Sequence, residues 1–448
     1  MGLDQPASAS ISEPIRAQFF TMSETFVRRV FIASTAFLLA GFFFLYGLAV
    51  EHYRIWPYET IQSVLQAAKS IVKYGELVPE GRRVKAPANA SRERVTIHRP
   101  DLIGDGYYVF VGWDSEDNRY SAWLYDNHGV RLHTWSLNYL SLDPDGPSNG
   151  ADNPHPFAVL RDGSIMLGFD EGDVMARLDV CGNPIWIKDG IYHHSMSPAE
   201  DGSYWVWRGD GTAYGHFNYL ENFDVETGET INEISLIEDI VRPLGSAATI
   251  FGVRPDYPFQ RFDRNPADQR AVDIFHPNDV EELSSDLAPF FPMFDAGDLL
   301  LSFRTLNLVA VIDIDDHRVK WWSHGPWIGQ HDPDFTSDGR ISVFNNNTRR
   351  GRSEILLMDP ATREIENKLF AGEASFRSDF MGKHQYLPNG NVLVVVPGEG
   401  RILEFTEYGK NVMEFNNLSV TSVEYNEHVE NGLWLPPDYF LSVPECSQ

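Results

Sequence analysis

The hydrophobic pattern of the chain repeats one short unit several times. In four segments a histidine is followed by an Asp-Gly or Asn-Gly turn and then by an apolar strand. A second apolar strand comes next and often leads to a tryptophan, as from Val311 to Trp321. Strands separated by such turns and repeated every ~40 to 50 residues are typical of a β-propeller rather than of a sandwich. The four turns are Asp162-Gly163, Asp201-Gly202, Asp338-Gly339 and Asn389-Gly390.

The repeats predict six blades. The first is built from Gly106–Val111, Ala122–Asp126 and His133–Trp135, and each of the others begins near a recurring histidine. The segment Thr421 to Leu441 either supplies a closing strand or packs under the propeller. Equivalent positions of the blades face one central channel, so we expect the recurring histidines to converge there. These histidines are His155, His194, His276, His331 and His384.

An apolar stretch near the N-terminus predicts a membrane anchor. Residues 30–50 are almost entirely apolar, and a helix of that length crosses a bilayer. Arg28 and Arg29 precede the stretch and Glu51 follows it, so the positive-inside rule places residues 1–29 in the cytoplasm. The long leading tail and long apolar core favour a retained anchor over a cleaved signal peptide. We therefore expect a single-pass protein of the inner (cytoplasmic) membrane with its folded part on the extracytoplasmic side, which is the periplasm in a Gram-negative host.

Two further segments depart from the strand pattern. Residues 51–94 have apolar positions at helical spacing and then a basic, proline-containing stretch, which predicts a helical stalk and a linker before a propeller over residues 95–448. Residues 237–275 contain four prolines with several aromatic and basic side chains. A connection of that length is usually functional or disordered, and the aromatic content argues against disorder. We interpret it as a lid over the channel mouth.

Composition narrows the class of protein. The chain has 448 residues, of which 43% are hydrophobic and 13% aromatic, as in a folded protein. A formal net charge of -28 leaves no surplus of basic residues to neutralise phosphates, which argues against nucleic-acid binding. An anionic substrate would need a locally basic pocket. Cys181 and Cys446 are the only cysteines, so no disulfide framework holds the fold, while a bond between the two is open in an oxidising compartment.

Four motifs then occur in a fixed order. They are His193-His194 before Asp201-Gly202, His276-Pro277-Asn278, Ser302-Phe303-Arg304, and Gln330-His331-Asp332 followed by Phe344-Asn345-Asn346. Together these motifs resemble those of the bacterial arylsulfotransferases that work without the sulfate donor PAPS, and the likeness runs from about Asp105 to Asn416. Asn345 stands where many members of that family have Asp, and there is extra sequence between the second and third motifs.

The resemblance implies an all-β, six-bladed propeller that moves a sulfuryl group from an aryl sulfate donor to a phenolic acceptor without a cofactor. Carried over by motif, His331 is the nucleophile that becomes transiently sulfated, and His194, His276 and Arg304 bind and polarise the sulfuryl oxygens. A neutral imidazole is a competent nucleophile, and a two-step transfer predicts ping-pong kinetics. A second histidine, either His194 or His276, can exchange a proton with the phenol because its pKa lies near neutrality.

The remaining candidate residues follow from the same resemblance and from the repeats. His193, Asn278 and Asn345 are the expected substrate-binding residues. His155 and His384 match no functional motif, so we interpret them as ordinary members of the repeat.

Two other functions stay open. Histidines that converge on one axis are also donors for a transition metal, so a His-cluster metalloenzyme is one alternative, although Asp279 and Asp332 are the only carboxylates beside the histidine motifs. The other is a membrane-tethered propeller that acts as a non-catalytic binding or assembly platform. No phosphate-cradling Gly-rich loop occurs, which argues against a nucleotide-dependent sulfotransferase. A homo-oligomer is compatible with the sequence.

Overall fold

The computed structural model divides the chain into two compact units, residues 1–79 and 80–448. In the first unit the structure describes one helix, α1 (Glu24–Tyr53), which is long and apolar enough to cross a membrane. A signal sequence near the N-terminus passes the same test of length and composition, so α1 is a candidate span. The predicted stalk helix lies outside the described residues. Those residues are 24–53, 82–146, 153–169, 172–209, 219–252, 275–367, 369 and 374–446.

The second unit is a six-bladed β-propeller, which confirms the number of blades that the repeats predict. Its strands are β1 (Arg83–Lys85), β2 (Val95–Ile97), β3 (Tyr107–Asp114), β4 (Arg119–Asp126), β5 (Arg131–Leu137), β6 (Phe157–Val159), β7 (Ile165–Gly168), β8 (Val174–Leu178), β9 (Pro184–Asp189), β10 (Ile191–Pro198), β11 (Tyr204–Gly209), β12 (Tyr219–Phe223), β13 (Thr230–Ser235), β14 (Pro277–Glu282), β15 (Leu299–Phe303), β16 (Leu308–Ile312), β17 (Val319–His324), β18 (His331–Phe335), β19 (Ile341–Asn345), β20 (Glu354–Met358), β21 (Ile365–Glu366), β22 (Lys383–Tyr386), β23 (Val392–Val396), β24 (Arg401–Phe405), β25 (Asn411–Asn416), β26 (Tyr425–Glu427) and β27 (Val429–Leu435).

The blades are antiparallel sheets that follow the order of the chain. Blade I has the order β27-β3-β4-β5, blade II β6 to β9, blade III β10 to β13, blade IV β14 to β17, and blade V β18 to β21. Blade VI consists of β22 to β25, and β2 adds a fifth strand at its outer edge. Strands β1 and β26 form a separate two-stranded sheet. The first strand of each blade therefore lies next to the central channel.

Short helical segments connect some of these strands. Between β13 and β14, buried Val241 and Phe251 pack in one apolar cluster with Phe303 of blade IV. The first part of the predicted lid is thus anchored to the blades, while residues 253–274 lie outside the described part of the chain. The segments are α2 (Tyr139–Leu142), a π-helical turn at Leu236–Val241, and 3-10 turns at Arg242–Phe251, Ala288–Phe290, Arg304–Leu306 and Pro397–Glu399.

The C-terminal segment closes the ring of blades. Strand β27 pairs antiparallel with β3, from Val429 opposite Gly112 to Leu435 opposite Tyr107. Of the two alternatives for this segment, the closing strand is therefore the one observed. Beyond β27, Cys446 forms a disulfide with Cys181 in the β8–β9 turn. A bond between cysteines 265 residues apart constrains the unfolded chain strongly, and such bonds typically contribute about 2–4 kcal/mol to stability.

The apolar core lies between neighbouring blades. Leu299 and Leu301 of β15 belong to an apolar cluster with Trp207 of blade III. Leu300, on the opposite face of the same strand, packs in a cluster with Val343 of blade V. Because both faces of the middle strands are covered, these strands are continuous apolar runs rather than alternating ones.

Candidate active site

Irregular pairing of the inner strands shapes the channel. In blades III, IV, V and I, the register with the next strand shifts by a bulge near the start of the inner strand. The backbone has positive φ at three of these places, namely His194 (62°), His276 (47°) and Asp332 (52°). A β-bulge re-aims side chains, and non-glycine residues with positive φ cluster at functional sites.

A small cavity in the channel is lined by residues from all six blades. Its polar lining consists of three imidazoles, one amide, one cationic side chain and two carboxylates. The lining comprises His155, His194, Asn278, His331, Asp332, Met381, Gly382, Lys383 and Glu430.

The imidazoles of five histidines cluster around this cavity. Nε2 of His194 lies 3.0 Å from Nε2 of His276. The ring centre of His194 is 3.6 Å from that of His193, 4.6 Å from that of His155, and 6.0 Å from that of His331. The predicted convergence therefore holds for four of the recurring histidines, and it includes His155, whose sequence context suggested no role. His193 joins them as their neighbour on β10.

The hydrogen bonds of His331 fix its tautomer. Its Nδ1 lies 2.7 Å from Oδ1 of Asn346 and 3.2 Å from the carbonyl oxygen of Gly329. The amide of Asn346 is oriented in turn, because its Nδ2 donates to the carbonyl oxygens of Ser378 (2.9 Å) and Met381 (2.6 Å). Since both partners of Nδ1 can only accept, Nδ1 carries the proton and Nε2 keeps its lone pair.

The environment keeps the central imidazoles neutral. Burial, together with the positive charge of Arg304, holds the pKa of His331 well below its usual range. Burial and the neighbouring His193 and His155 do the same for the pKa of His194. Neutral imidazole is the nucleophilic form, so His331 has its lone pair available at neutral pH.

The residues around the Gln-His-Asp motif hold His331 in place. Gln330 donates from Nε2 to Oγ of Ser302 (3.0 Å) and to the carbonyl oxygen of Leu308 (3.1 Å) in blade IV. Asn278 donates from Nδ2 to the carbonyl oxygen of Gln330 at 2.7 Å. The backbone next to His331 is therefore held to blade IV by these hydrogen bonds. Arg304 begins the 3-10 turn after β15, and its backbone N–H donates to the carbonyl oxygen of His276 at 3.0 Å.

Asn345 and Asn346 have different tasks. Oδ1 of Asn345 accepts hydrogen bonds from the backbone N–H groups of Ile328 (2.8 Å) and Asn347 (3.0 Å). Asn345, proposed from its motif as a substrate-binding residue, thus ties down the loop that leads to β18. The side chain that contacts His331 is that of Asn346.

Among the polar side chains described at the site, Asn346, Lys383 and Glu430 were not predicted as site residues. Asn346 belongs to the fourth motif, but its neighbour Asn345 was the residue chosen there. Lys383 precedes the recurring His384 and takes the channel position in blade VI. Glu430 lies on the closing strand, whose place in the fold the sequence left open.

His384 contacts no cluster histidine in the described residues. Its Nδ1 lies 3.0 Å from Oδ2 of Asp332, and its Nε2 lies 2.8 Å from Oγ of Ser342.

A second, acidic part of the channel adjoins the histidine cluster. A cavity of about 870 Å³ is lined by Asp279, Glu281, Asp332 and Asp334, and Lys383 lines both cavities. Burial and the charge of Asp332 raise the pKa of Asp279 to about 8. Burial also raises the pKa of Glu281 and Asp334 well above the usual range. These carboxyls therefore take up protons at a pH where an exposed carboxyl is ionised.

This acidic part predicts a pH dependence of stability. Asp279 titrates near pH 8 when folded but near about 4 when unfolded, so the folded protein binds more protons between these values. The stability contributed by this carboxyl is present at low pH and is lost as the pH rises through 8. We expect this carboxyl to lower the Tm as the pH rises from about 4 to 8, with no further loss above about 8, and the Tm to fall less over that range in Asp279→Asn. Thermal unfolding followed by circular dichroism measures both, and a native profile as flat as that of the variant would contradict the expectation.

Two groups of described residues have donor atoms close enough to hold a metal ion. They are His155, His193 and His194, and Asp332, Asp334 and His384, with the donor atoms of each group within 4.8 Å of one another. Three imidazoles are a donor set suited to zinc, whereas the second group offers two carboxylates and one imidazole. In the second group, His384 already bonds with Asp332 and Ser342. In the first group, His194 is likewise bonded, to Nε2 of His276 at 3.0 Å.

Comparison with known proteins gives one family. A family model described as arylsulfotransferase (ASST) matches residues 156–418. No curated protein matches the chain. Similar solved structures include a Bacteroides caccae protein of unknown function, at 11% identity over 74% of this chain and 99% of that one, with a TM-score of 0.48. TolB from Acinetobacter baumannii matches at 13% identity over 74% of this chain and 68% of that one, with a TM-score of 0.44. At these TM-scores neither likeness bears on function.

Proposed function

Because the chain belongs to the arylsulfotransferase family, we propose that it transfers a sulfuryl group from an aryl sulfate to a phenol through a sulfated His331. The observation that carries this proposal is the hydrogen bond from Nδ1 of His331 to Asn346, which leaves Nε2 as the nucleophilic atom. The membership itself supports arylsulfotransferase activity in general. The roles of the individual residues are our proposal.

In the first half-reaction, Nε2 of His331 attacks the sulfur of the aryl sulfate. The N–S bond forms while the S–O bond to the aryl group breaks, and the phenolate leaves with the electron pair. Charge builds on the sulfuryl oxygens, as it does in phosphoryl transfer, so positioned cationic and N–H donors stabilise the transition state. In our proposal Arg304, His194 and His276 supply these donors, and Lys383, which lines the cavity with His331, supplies a second cation. The positive charges of Arg304 and Lys383 offset the carboxylates of Asp332 and Glu430 near His331.

In the second half-reaction, a phenol takes the place of the first one. Its oxygen attacks the sulfur, the N–S bond breaks, and the electron pair returns to Nε2 of His331. No oxidation or reduction occurs, so the chemistry requires no redox cofactor. One site serves donor and acceptor in turn, which is the basis for ping-pong kinetics.

We propose that the propeller works on the extracytoplasmic side of a membrane. Two observations support this. Helix α1 is a candidate span with Arg28 and Arg29 in its first turns, which the positive-inside rule places in the cytoplasm. The Cys181–Cys446 bond joins two exposed residues, and exposed disulfides persist in oxidising compartments. Fusion of a reporter active only outside the cytoplasm to the C-terminus tests this side of the membrane, and an inactive reporter would contradict it.

Two measurements on the purified protein test the transfer. With 4-nitrophenyl sulfate and no acceptor, we expect one equivalent of 4-nitrophenol in a burst and one sulfuryl adduct on the peptide that carries His331. With a phenolic acceptor, initial rates at varied donor and acceptor should give parallel double-reciprocal lines. An adduct on another residue, or intersecting lines with no adduct, would overturn the proposed intermediate.

The His155, His193 and His194 group supports a second candidate, a metal-dependent enzyme. Its three buried imidazoles have nitrogen atoms within 4.8 Å of one another. Elemental analysis of the purified protein decides between the two. One transition metal per chain, lost together with activity on chelation, would favour the metalloenzyme, whereas full burst activity without metal favours His331.

A further inference from the structure

We propose that Glu430 is the acid–base group that exchanges a proton with the phenol in both half-reactions. This inference rests on the proposed sulfuryl transfer and names a residue that the family motifs do not include. Either His194 or His276 was the expectation from the sequence. The position, burial and hydrogen bonding of Glu430 favour the carboxylate.

Glu430 takes in blade I the channel position that histidines take in blades II, III and V. The register of β27 against β3 shifts between Val429 and Asn431, so Glu430 lies in the bulge. The inner strand β18 shifts in the same way just after His331. Glu430 consequently lines the same small cavity as His331, which lies in blade V.

One oxygen of Glu430 is held and the other is left for a ligand. The side chain is buried, with 2% of its surface exposed. Its Oε1 lies 2.8 Å from Nδ1 of His428 and accepts a hydrogen bond from the Tyr120 hydroxyl at 3.2 Å. Its Oε2 is buried without a hydrogen-bond partner among the described residues. This oxygen is an unsatisfied acceptor when the carboxyl is ionised and a donor when it carries the proton, so in either state a group that enters the cavity completes it.

The nature of the missing donor follows from the chemistry of the substrates. A sulfuryl group presents only acceptor oxygens and a negative charge, so it cannot complete Oε2 of the ionised carboxylate. A phenol hydroxyl is a donor, and it must also lose its proton as it attacks sulfur. Asn278, whose Oδ1 is likewise buried without a partner in the described residues, lines the cavity too. The cavity therefore has unsatisfied acceptors for a hydroxyl as well as a cation, Lys383, for the sulfuryl group.

The cluster histidines are less suited to accept this proton. Nε2 of His194 and Nε2 of His276 lie 3.0 Å apart, and each is engaged with the other. Burial and the neighbouring imidazoles lower the pKa of His194 well below its usual range, so it takes up protons poorly at neutral pH. In the intermediate, Nε2 of His331 carries the sulfuryl group and its Nδ1 is bonded to Asn346. A carboxylate is left as the proton acceptor.

The proton balance closes over one cycle. The protonated Glu430 gives its proton to the phenolate that leaves in the first half-reaction and becomes a carboxylate. In the second half-reaction this carboxylate takes the proton of the entering phenol and is protonated again. The entry of a phenol is the reverse of its departure, so one group serves both steps. The overall transfer from one phenol to another neither takes up nor releases a proton, in agreement with this cycle.

The Glu430→Gln variant tests the proposal with the full-length protein. The burst of 4-nitrophenol from 4-nitrophenyl sulfate should keep its native amplitude, because 4-nitrophenolate is a weak base that leaves without protonation. Transfer to unsubstituted phenol should be slower by about 10²- to 10³-fold, as is usual for the loss of a general base. Acceptor phenols that are already ionised at the assay pH should restore the rate to within about 10-fold of the native enzyme.

The burst in the same sample reports the folded, sulfated fraction, so misfolding and loss of the base are separated. Glu404→Gln is the matched control: Glu404 of blade VI is also buried but bonds Tyr108 of blade I and Asn391 instead of facing the small cavity, and we expect native transfer rates. Native rates with all phenols in Glu430→Gln would overturn the role of Glu430 while leaving sulfuryl transfer intact. A native protein without a burst or adduct would instead refute the transfer on which this inference rests.

Discussion

Replacing His331 by asparagine is expected to lower sulfuryl transfer from 4-nitrophenyl sulfate to phenol by at least about 10⁴-fold, because the nucleophile is removed. The asparagine amide can still donate to Oδ1 of Asn346 from the place of Nδ1, so we expect the variant to fold. Without Nε2, no N–S bond can form. Mass spectrometry after exposure to the donor should find no sulfuryl adduct, and stopped-flow absorbance should find no burst.

His133→Asn is the matched control for this change. His133 is a half-buried histidine on the outer strand β5, where Nε2 bonds the carbonyl oxygen of Val180 at 2.9 Å. The same substitution there should leave burst and adduct at native amplitude. A His331→Asn variant that still turns over with an adduct elsewhere would refute His331 as nucleophile. One that turns over without any adduct would indicate direct transfer from donor to acceptor.

The blades could be predicted from the sequence because their signals are local. Each Asp-Gly or Asn-Gly turn joins two strands of one blade, so the pattern of turns counts hairpins without knowledge of their packing. Closure of the ring is not local in this sense. Strand β27 contains Glu430, Asn431 and Gly432 among its seven residues, which give it a weak local preference for a strand. It forms a strand by pairing with β3, which lies more than 300 residues earlier in the chain. Burial between β3 and the neighbouring blade overrides its weak local preference.

The residues of the candidate site also fall into two groups, those that local motifs predict and those that only the folded structure reveals. The motifs around His331, His276 and Arg304 could be placed because repeats bring their strand starts to one axis. His155 and Glu430 reach the cavity through the same geometry, but one precedes β6 by two residues and the other sits in a bulge. No sequence motif marks either of these two positions. A sequence shows that a channel position exists in each blade, whereas the bulge that re-aims its side chain depends on the pairing of the two strands.

The two parts of the channel also explain how an acidic chain can accept an anion. The net charge of -28 alone would repel an aryl sulfate. Close to His331, however, the cations Arg304 and Lys383 offset the carboxylates of Asp332 and Glu430, and burial keeps Asp279 mostly protonated at neutral pH because its pKa is about 8. Charges within the channel act at short range and are poorly screened, so they outweigh the remote surface charge.

Replacing Asn346 by alanine is expected to slow sulfation of His331 by about 10²-fold while leaving the protein folded. Oδ1 of Asn346 is the closer of the two acceptors that hold the proton on Nδ1, at 2.7 Å against 3.2 Å for the carbonyl oxygen of Gly329. Loss of a residue that fixes a catalytic histidine in one tautomer can cost as much as about 10⁴-fold, and the remaining bond to Gly329 reduces that loss here. The single-turnover rate of 4-nitrophenol release measures the effect directly.

Asn347→Ala supplies the matched control for the Asn346 variant. Asn347 is the next residue and its Nδ2 donates to the carbonyl oxygen of Arg352 at 3.2 Å, away from His331. A native rate is expected for it. In Asn346→Ala, nitrogen NMR of labelled imidazole should show protonation divided between Nδ1 and Nε2 of His331, whereas the native protein should carry the proton on Nδ1. An altered rate with an unchanged tautomer would mean that Asn346 acts by packing against the segment of Ser378 and Met381 instead, because its Nδ2 bonds both of their carbonyl oxygens.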